Sequence, residues 1–188
     1  MGIMSARFEN LLPYAAAARC TVVPQGIEIF AEGTDRESLM RAGAAITCLR
    51  AAAAHFGFHS YVLYQRAPDV TPMAVLVALR ATIAPDLSLA RLFPAIARRH
   101  TSGDAFDGEP IDPQPLSDVC DLLDAHSSAL RLVLPRDWPR VAGMLHDGQQ
   151  VSHASMLVVV TAADDAIAIV KAGELAERVL LKIGRAHV

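Results

Sequence analysis

The residues of this sequence best suited to chemistry stand together near its middle, in the stretch Arg98-Arg99-His100-Thr101-Ser102. Guanidinium groups present a planar fork of donors that matches phosphate oxygens, and the hydroxyls of Thr and Ser add neutral donors beside it. A phosphate contact is therefore predicted for four of these residues: Arg98, Arg99, His100 and Thr101. One alternative stays open at this point, because basic residues in the last turn of a helix also oppose the helix dipole.

Other polar residues form weaker patterns. His55 and His59 are four residues apart, but Gly57 between them is expected to break the helix that a metal-binding pair would need. No Gly-x-Gly-x-x-Gly or Walker sequence occurs, so neither a Rossmann nor a P-loop nucleotide site is predicted. Ser152 and Ser155 lack the glycine pattern of a nucleophile elbow. The sequence therefore predicts no metal site and assigns no catalytic acid or base.

Composition places the chain among globular proteins. Of its 188 residues 53% are hydrophobic, which suffices for one sizeable core or for two lobes that share one. The 17 basic and 20 acidic side chains leave a formal charge of -3 without a long basic stripe, so nucleic acid is not an expected partner. The apolar runs fall short of the ~20 residues of a membrane helix, and no signal peptide is visible. We expect a cytoplasmic protein without a membrane partner.

Hydrophobic spacing predicts the helices and strands that must position the arginine cluster. A capping box at Thr34 and Glu37 precedes an alanine-rich run from Leu39 to Phe56, which predicts a long buried helix ended by Gly57. Small side chains in this helix would allow close approach of another helix. The other predicted elements are a hairpin at 21–31, strands at 58–66, 73–84, 129–134 and 156–161, and helices at 8–18, 87–99, 115–126, 138–145 and 166–182. The strand at 156–161 is apolar on both faces and is expected to be central in its sheet.

A short repeat links the long helix to the last predicted helix. Arg41-Ala42-Gly43 in the former corresponds to Lys171-Ala172-Gly173 in the latter, which suggests a duplicated unit. Two plain amphipathic helices would give the same three-residue match, so both interpretations stay open on these residues alone. The last residues, 183–188, look like the translation of a sequencing adapter, and we expect a non-native tail there.

Three separate stretches resemble the nitroreductase superfamily, in the Acg-type branch that fuses two nitroreductase-like halves. The arginine cluster with Phe106 and Pro110 is similar to the family's Arg-Arg-Thr/Ser loop, and Thr34 to Gly57 resembles its first core helix. Asp164 to Leu181 is similar to the matching helix of the second half. The resemblance covers most of the stretch from Ile27 to Lys182. It implies a first half at 1–97, an incomplete second half at 98–182, and a reason for the repeat.

The resemblance also implies a fold and a cofactor. The fold would be an α+β sandwich in which a mixed sheet is flanked by long helices. FMN would be the cofactor, and the residues near its phosphate and ribityl chain would be Arg98, Arg99, His100 and Thr101. The activity would be electron transfer from NAD(P)H to a nitroaromatic, quinone or similar acceptor, in which the flavin carries the chemistry. A homodimer is a further expectation that stays open.

Two departures from the family pattern favour a second interpretation. Arg19-Cys20 stands where the family has its longer flavin loop, and Gly103 replaces an expected arginine. The alternative is therefore a degenerate, catalytically inactive flavin-binding or interaction protein of the same fold.

Overall fold

Helices and strands alternate along the chain in a computed structural model that describes residues 7–65, 74–98, 117–122, 129–144, 157–160 and 162–186. The strands are β1 (Arg19–Val23), β2 (Gly26–Phe30), β3 (Phe58–Gln65), β4 (Ala74–Ala81), β5 (Leu130–Val133) and β6 (Leu157–Val160). The helices are α1 (Arg36–His55), α2 (Leu87–Ala90), α3 (Phe93–Arg98), α4 (117–122), α5 (Trp138–Ala142) and α6 (Ala166–Ala186). The predicted α+β class is confirmed.

The first four strands form one sheet in the order β1-β2-β4-β3, and every pair in it is antiparallel. The predicted hairpin is confirmed as β1 and β2, and the ambiguous stretch at 73–84 contains strand β4, as predicted. Among the described strands no parallel pair occurs, so the mixed sheet implied by the resemblance is not observed there. One face of this sheet packs on α1 through fully buried side chains: Ile27, Ile29, Val75 and Val77 from the sheet, Ile46 and Leu49 from the helix.

Strand β6 was predicted to be central, and that prediction is wrong within the described residues. It pairs only with β5, in a separate two-stranded sheet. Its valines are half-buried, and two of them, Val158 and Val160, pack against Val119 of α4 and Val179 of α6. Contact with two helices therefore accounts for the apolar residues of β6, which in the described part of the chain pairs with β5 alone.

Helix α1 begins one residue later than the predicted capping box. Asp35, not Thr34, caps it: its Oδ1 accepts from the amide of Ser38 at 2.9 Å, and its Oδ2 accepts from the hydroxyl of the same serine at 2.7 Å. The extended backbone at Asp35 and the short carboxylate suit this role better than threonine. These hydrogen bonds hold the pKa of Asp35 below its ordinary value. At the other end, Gly57 has φ +81°, so the predicted left-handed residue after the helix is confirmed.

Helices α1 and α6 cross in contact at two glycines. A Cβ atom placed on Gly43 would lie 2.0 Å from the carbonyl oxygen of Val170, and one on Gly173 would lie 2.2 Å from that of Met40. No side chain fits at either position, so the two backbones touch directly. The predicted close approach of a second helix to α1 is confirmed, and the glycines of the repeated triplets provide it.

The crossing is reciprocal in detail. Gly43 and Gly173 occupy the same place in the two triplets, and each meets the carbonyl that lies three residues before the other. Asp165 caps α6 by accepting from the amide of Ala168 at 3.0 Å, as Asp35 caps α1. A duplicated strand-and-helix unit packed on itself would produce this arrangement. The division of the chain at residues 97 and 98 stays a prediction.

Three predicted helices differ in extent. The first is reduced to a turn at 7–9 and a 3-10 helix at Leu12–Ala15, where Pro13 lies in the opening turn. The helix at 87–99 is divided into α2 and α3, since Pro94 removes a backbone donor. Helix α6 continues past Lys182, where its end was expected, and Ile183 still packs against the apolar cluster that α4 and α6 form. No helix in the described part of the chain combines the length and apolar character needed to cross a membrane.

Gly43→Ala is expected to destabilise the protein by about 3 kcal/mol or more, because the new methyl group meets a backbone carbonyl that cannot rotate away. The matched control is Gly143→Ala, at the end of α5, where the nearest atom to a new Cβ is 3.5 Å away. The control should be neutral or stabilising by up to ~1 kcal/mol. Urea denaturation measures both changes, and similar midpoints for the two variants would contradict the crossing described above.

Candidate functional site

A cavity of about 690 Å³ lies beside the crossing of α1 and α6. Its volume falls in the range of roughly 300 to 1,000 Å³ that is typical of small-molecule sites. Much of the described lining is apolar, with five alanines together with Leu89 and Leu175. The polar part of that lining consists of six side chains: Thr47, Arg50, Tyr64, Lys171, Glu174 and Arg178. The cavity thus offers an apolar wall and a charged one.

Helix α6 provides three charged groups from one face. Lys171, Glu174 and Arg178 follow each other at spacings of three and four residues, which places them above one another on an α-helix. Lys171 is exposed, whereas Glu174 and Arg178 are partly buried. Ala168 and Ala172 also line the cavity, and their short side chains leave open the space beside the charges.

Helix α1 and strand β3 supply the opposite polar groups. Thr47 and Arg50 are one turn apart on α1, and the Thr47 hydroxyl donates to the carbonyl oxygen of Glu174 at 2.9 Å. On β3, Tyr61 points to solvent with 54% of its surface exposed. Because side chains alternate along a strand, Tyr64 points the other way, toward the helices. The polar lining of the cavity therefore comes from three elements, of which α6 is distant in the sequence from α1 and β3.

The carboxylate of Glu174 connects these elements. The Tyr64 hydroxyl donates to Glu174 Oε1, and Arg50 Nη1 lies 3.6 Å from Glu174 Oε2. Arg50 Nε donates to the Ser60 hydroxyl at 3.3 Å, which holds the guanidinium against the sheet. Lys171 Nζ lies 5.1 Å from the centre of the Tyr64 ring, a cation–π distance. Both oxygens of the carboxylate are thus engaged with groups from other elements.

Burial has the largest effect on the ionisation of Glu174 and Tyr64. Desolvation raises the pKa of Glu174, although the Tyr64 hydrogen bond and the charges of Arg50, Lys171 and Arg178 favour the carboxylate. Burial and then the hydrogen bond to Glu174 raise the pKa of Tyr64 far above its ordinary value. Tyr64 therefore keeps its proton at neutral pH and acts as a hydrogen-bond donor.

Arg178 carries a charge that the described residues offset only in part. Burial lowers its pKa and the like charge of Arg50 lowers it further, whereas Asp86 and Glu174 oppose these effects. Within the described residues, the buried Nε atom of Arg178 has no hydrogen-bond partner. A buried donor without a partner costs roughly 1–3 kcal/mol. An acceptor oxygen on a ligand would remove this cost.

The structure describes only one of the four residues predicted to contact a phosphate. Arg98 is the last residue of α3, its side chain is exposed, and the described lining of the cavity does not include it. Arg99, His100 and Thr101 lie outside the described residues. Both interpretations of the cluster, phosphate contact and helix-dipole partner, therefore stay open.

None of the residues that line the cavity was predicted as a site residue, although the spacing of their charged members is visible in the sequence. Arg50 interrupts the apolar middle of α1, and charged residues recur at helical spacing in the otherwise apolar α6. Charged side chains on a buried helix face are costly unless they are paired or functional, and this makes them candidates. The spacing within one helix could not reveal that the two charged faces meet, because that depends on where α1 and α6 cross.

The two histidines considered as a metal pair contact aromatic rings. The His55 ring stacks on Phe93 with centroids 4.0 Å apart, and the His59 ring lies 4.6 Å from that of Tyr61. In the described part of the chain, no group of three His, Cys, Asp or Glu side chains is arranged to hold a metal ion. Packing against rings accounts for both imidazoles.

Glu174→Gln is expected to remove one component of the pH dependence of stability. Because folding raises the pKa of Glu174 above its ordinary value of 4.5, the folded chain binds more protons than the unfolded chain in the window between the two values. Stability of the wild type should therefore fall as the pH rises from 4.5 through the raised pKa. Urea midpoints measured across this window should fall less in the variant.

The matched control for this experiment is Glu37→Gln, which changes an exposed carboxylate in the first turn of α1. Its pH profile between 4.5 and neutrality should parallel that of the wild type. Asp35 and Asp86 have lowered pKa values, so their contribution to the pH dependence of stability falls below pH 3.8, outside this window. Parallel profiles for Glu174→Gln and the wild type would contradict the raised pKa.

The cavity and the residues that line it are the observations from which a function can be inferred. No protein-family model matches the chain, and no curated protein matches it. The described residues provide a cavity of ligand size, three cationic side chains against one carboxylate, and a buried guanidinium donor without a partner among them. Chemically, this described lining suits an anionic ligand with an apolar part.

Proposed function

We propose that this protein is an FMN-dependent oxidoreductase of the nitroreductase type, and that the cavity beside the α1–α6 crossing holds the flavin. The observation that carries the proposal is the lining of this cavity. Its cationic groups suit a phosphate, and its alanine and leucine side chains suit an aromatic ring system. The buried Nε of Arg178, which has no partner among the described residues, is a donor that such a ligand would use.

The resemblance noted in the sequence adds a second line of support. Two of its three stretches, Thr34 to Gly57 and Asp164 to Leu181, contain the two helices that cross at Gly43 and Gly173. The residues that resemble the family therefore also build the cavity. The arginine cluster from Arg98 to Thr101 remains an alternative prediction for the phosphate contact of the same cofactor.

When bound, FMN would supply the two-electron chemistry between NAD(P)H and a nitroaromatic, quinone or similar acceptor. The residues of this chain bind the cofactor and shape its surroundings. Arg50 and Arg178 offer charged donors, the apolar wall excludes water from the ring, and Tyr64 keeps a proton on its hydroxyl beside Glu174. No catalytic acid or base is assigned.

A second candidate is a degenerate relative that binds flavin, or a protein partner, without turnover. Its support is the position of Arg19 and Cys20, which replace the family's flavin loop. They begin strand β1, where the Arg19 guanidinium stacks over the Phe30 ring at 4.8 Å. A structural contact thus takes the place of a loop that would hold the cofactor.

The absorption spectrum of the purified protein after addition of FMN distinguishes these functions. An oxidoreductase should be yellow after removal of free FMN and should oxidise NADH or NADPH with a nitroaromatic acceptor. Flavin retention without turnover would favour the degenerate relative. A colourless protein that takes up no FMN would overturn the flavin assignment altogether.

The double variant Arg98→Ala/Arg99→Ala tests the predicted phosphate contact. Loss of charge-assisted hydrogen bonds to phosphate should weaken FMN binding by about tenfold or more, as measured by quenching of flavin fluorescence. The matched control is Arg91→Ala, an exposed arginine at the end of α2. Unchanged FMN affinity in the double variant would show that the cluster is not the phosphate site.

A further inference from the structure

We propose that Arg50 and Arg178, one from each long helix, form a phosphate-binding subsite inside the cavity. The two side chains line the same cavity and lie close enough for their charges to repel each other. Arginine is the residue best suited to bind phosphate, since its planar fork can meet two oxygens at once. The subsite is distinct from the exposed Arg98 at the end of α3.

The charged side chains that line the cavity include more cations than carboxylates among the described residues. Arg50, Lys171 and Arg178 face a single carboxylate in the described lining, that of Glu174. Asp86 also acts on Arg178 from the start of α2, but its Oδ1 accepts hydrogen bonds from the helix cap, at Ser88 and Leu89. Among the described residues, three cationic side chains therefore face two carboxylates, which leaves one positive charge unbalanced, and a phosphate monoester carries about -1.5 to -2 at neutral pH.

Glu174 and Arg178 differ in whether their polar atoms have partners among the described residues. Glu174 is engaged by the Tyr64 hydroxyl at one oxygen and faces Arg50 Nη1 at the other. Arg178 lies one turn beyond Glu174 on the same helix, yet in the described structure no acceptor meets its buried Nε. An incoming anion would accept a hydrogen bond from this donor and would also offset the excess positive charge of the described lining.

Contacts within the fold hold the two helices that carry Arg50 and Arg178 in place. Arg50 is held from the sheet by Ser60, and the Thr47 hydroxyl ties α1 to the backbone of α6 beside Glu174. The direct backbone contact of Gly43 then sets how far apart the two arginines are. Such a subsite is organised before the ligand arrives, which lowers the entropic cost of binding.

The phosphate has two possible sources under the proposed function, on which this part of the inference rests. One is the flavin phosphate, and the other is the pyrophosphate of the nicotinamide donor. Inorganic pyrophosphate tests the subsite without reference to either source. FMN compared with riboflavin, which lacks the phosphate, tests the first source.

The experiment measures the rise in melting temperature of the whole chain with inorganic pyrophosphate, at an ionic strength held constant with sodium chloride. Wild type should be stabilised in a saturable way. Arg178→Gln and Arg50→Gln should each weaken pyrophosphate binding by about tenfold to a hundredfold. The matched control is Arg41→Gln, an exposed arginine on α1 that pairs with Glu37, which should bind as the wild type does.

If Arg178→Gln does not fold, Arg178→Lys serves in its place, since it keeps the charge but loses the fork and should give an intermediate affinity. Absence of a pyrophosphate effect in the wild type, or an equal effect in all variants, overturns the subsite even if FMN binds. Wild-type preference for FMN over riboflavin that Arg178→Gln abolishes identifies the flavin phosphate as the ligand. Pyrophosphate binding without flavin binding keeps the subsite and overturns the proposed function.

Discussion

The direct contact between the backbones of α1 and α6 is the constraint on which the rest of this structure depends. At Gly43 and Gly173 the helices approach so closely that a methyl group on either glycine would overlap a carbonyl oxygen of the other helix. This separation permits the Thr47 hydroxyl to reach the backbone of Glu174. Helix α1 packs on the first sheet and α6 packs on the second sheet. The contact between the two helices therefore also joins the two sheets.

The same approach has an electrostatic consequence. It brings Arg50 and Arg178 into the lining of one cavity, where burial and then the like charge of Arg50 lower the pKa of Arg178. Glu174 offsets part of this, but desolvation raises its own pKa, so the cluster is not at its most stable arrangement. Natural proteins retain such costs mainly at binding sites, where a ligand recovers them. The polar cluster therefore supports the proposed anion site more than it supports the role of a stabilising salt bridge.

Because its polar side chains come from three elements, the site exists only in the folded chain. Thr47 and Glu174 are 127 residues apart in sequence, and Tyr64 reaches Glu174 from a sheet that α1 covers on one face. Contacts of such long range form late and depend on every intervening element being in place. A cavity of this kind responds to changes in helix packing as well as to changes in its own side chains.

The sequence by itself determined the features that depend on neighbouring residues. The alternation of apolar and polar residues predicts the hairpin of β1 and β2, and the apolar alanine run predicts α1. Gly57, which follows this run, predicts a left-handed backbone at the end of the helix. The tertiary structure alone decided the antiparallel order of the sheet, the pairing of β6 with β5 and the placement of Arg50 and Arg178 in the lining of one cavity. Local spacing specifies which face of a helix is polar or small, whereas the partner of that face is chosen by packing across the whole chain.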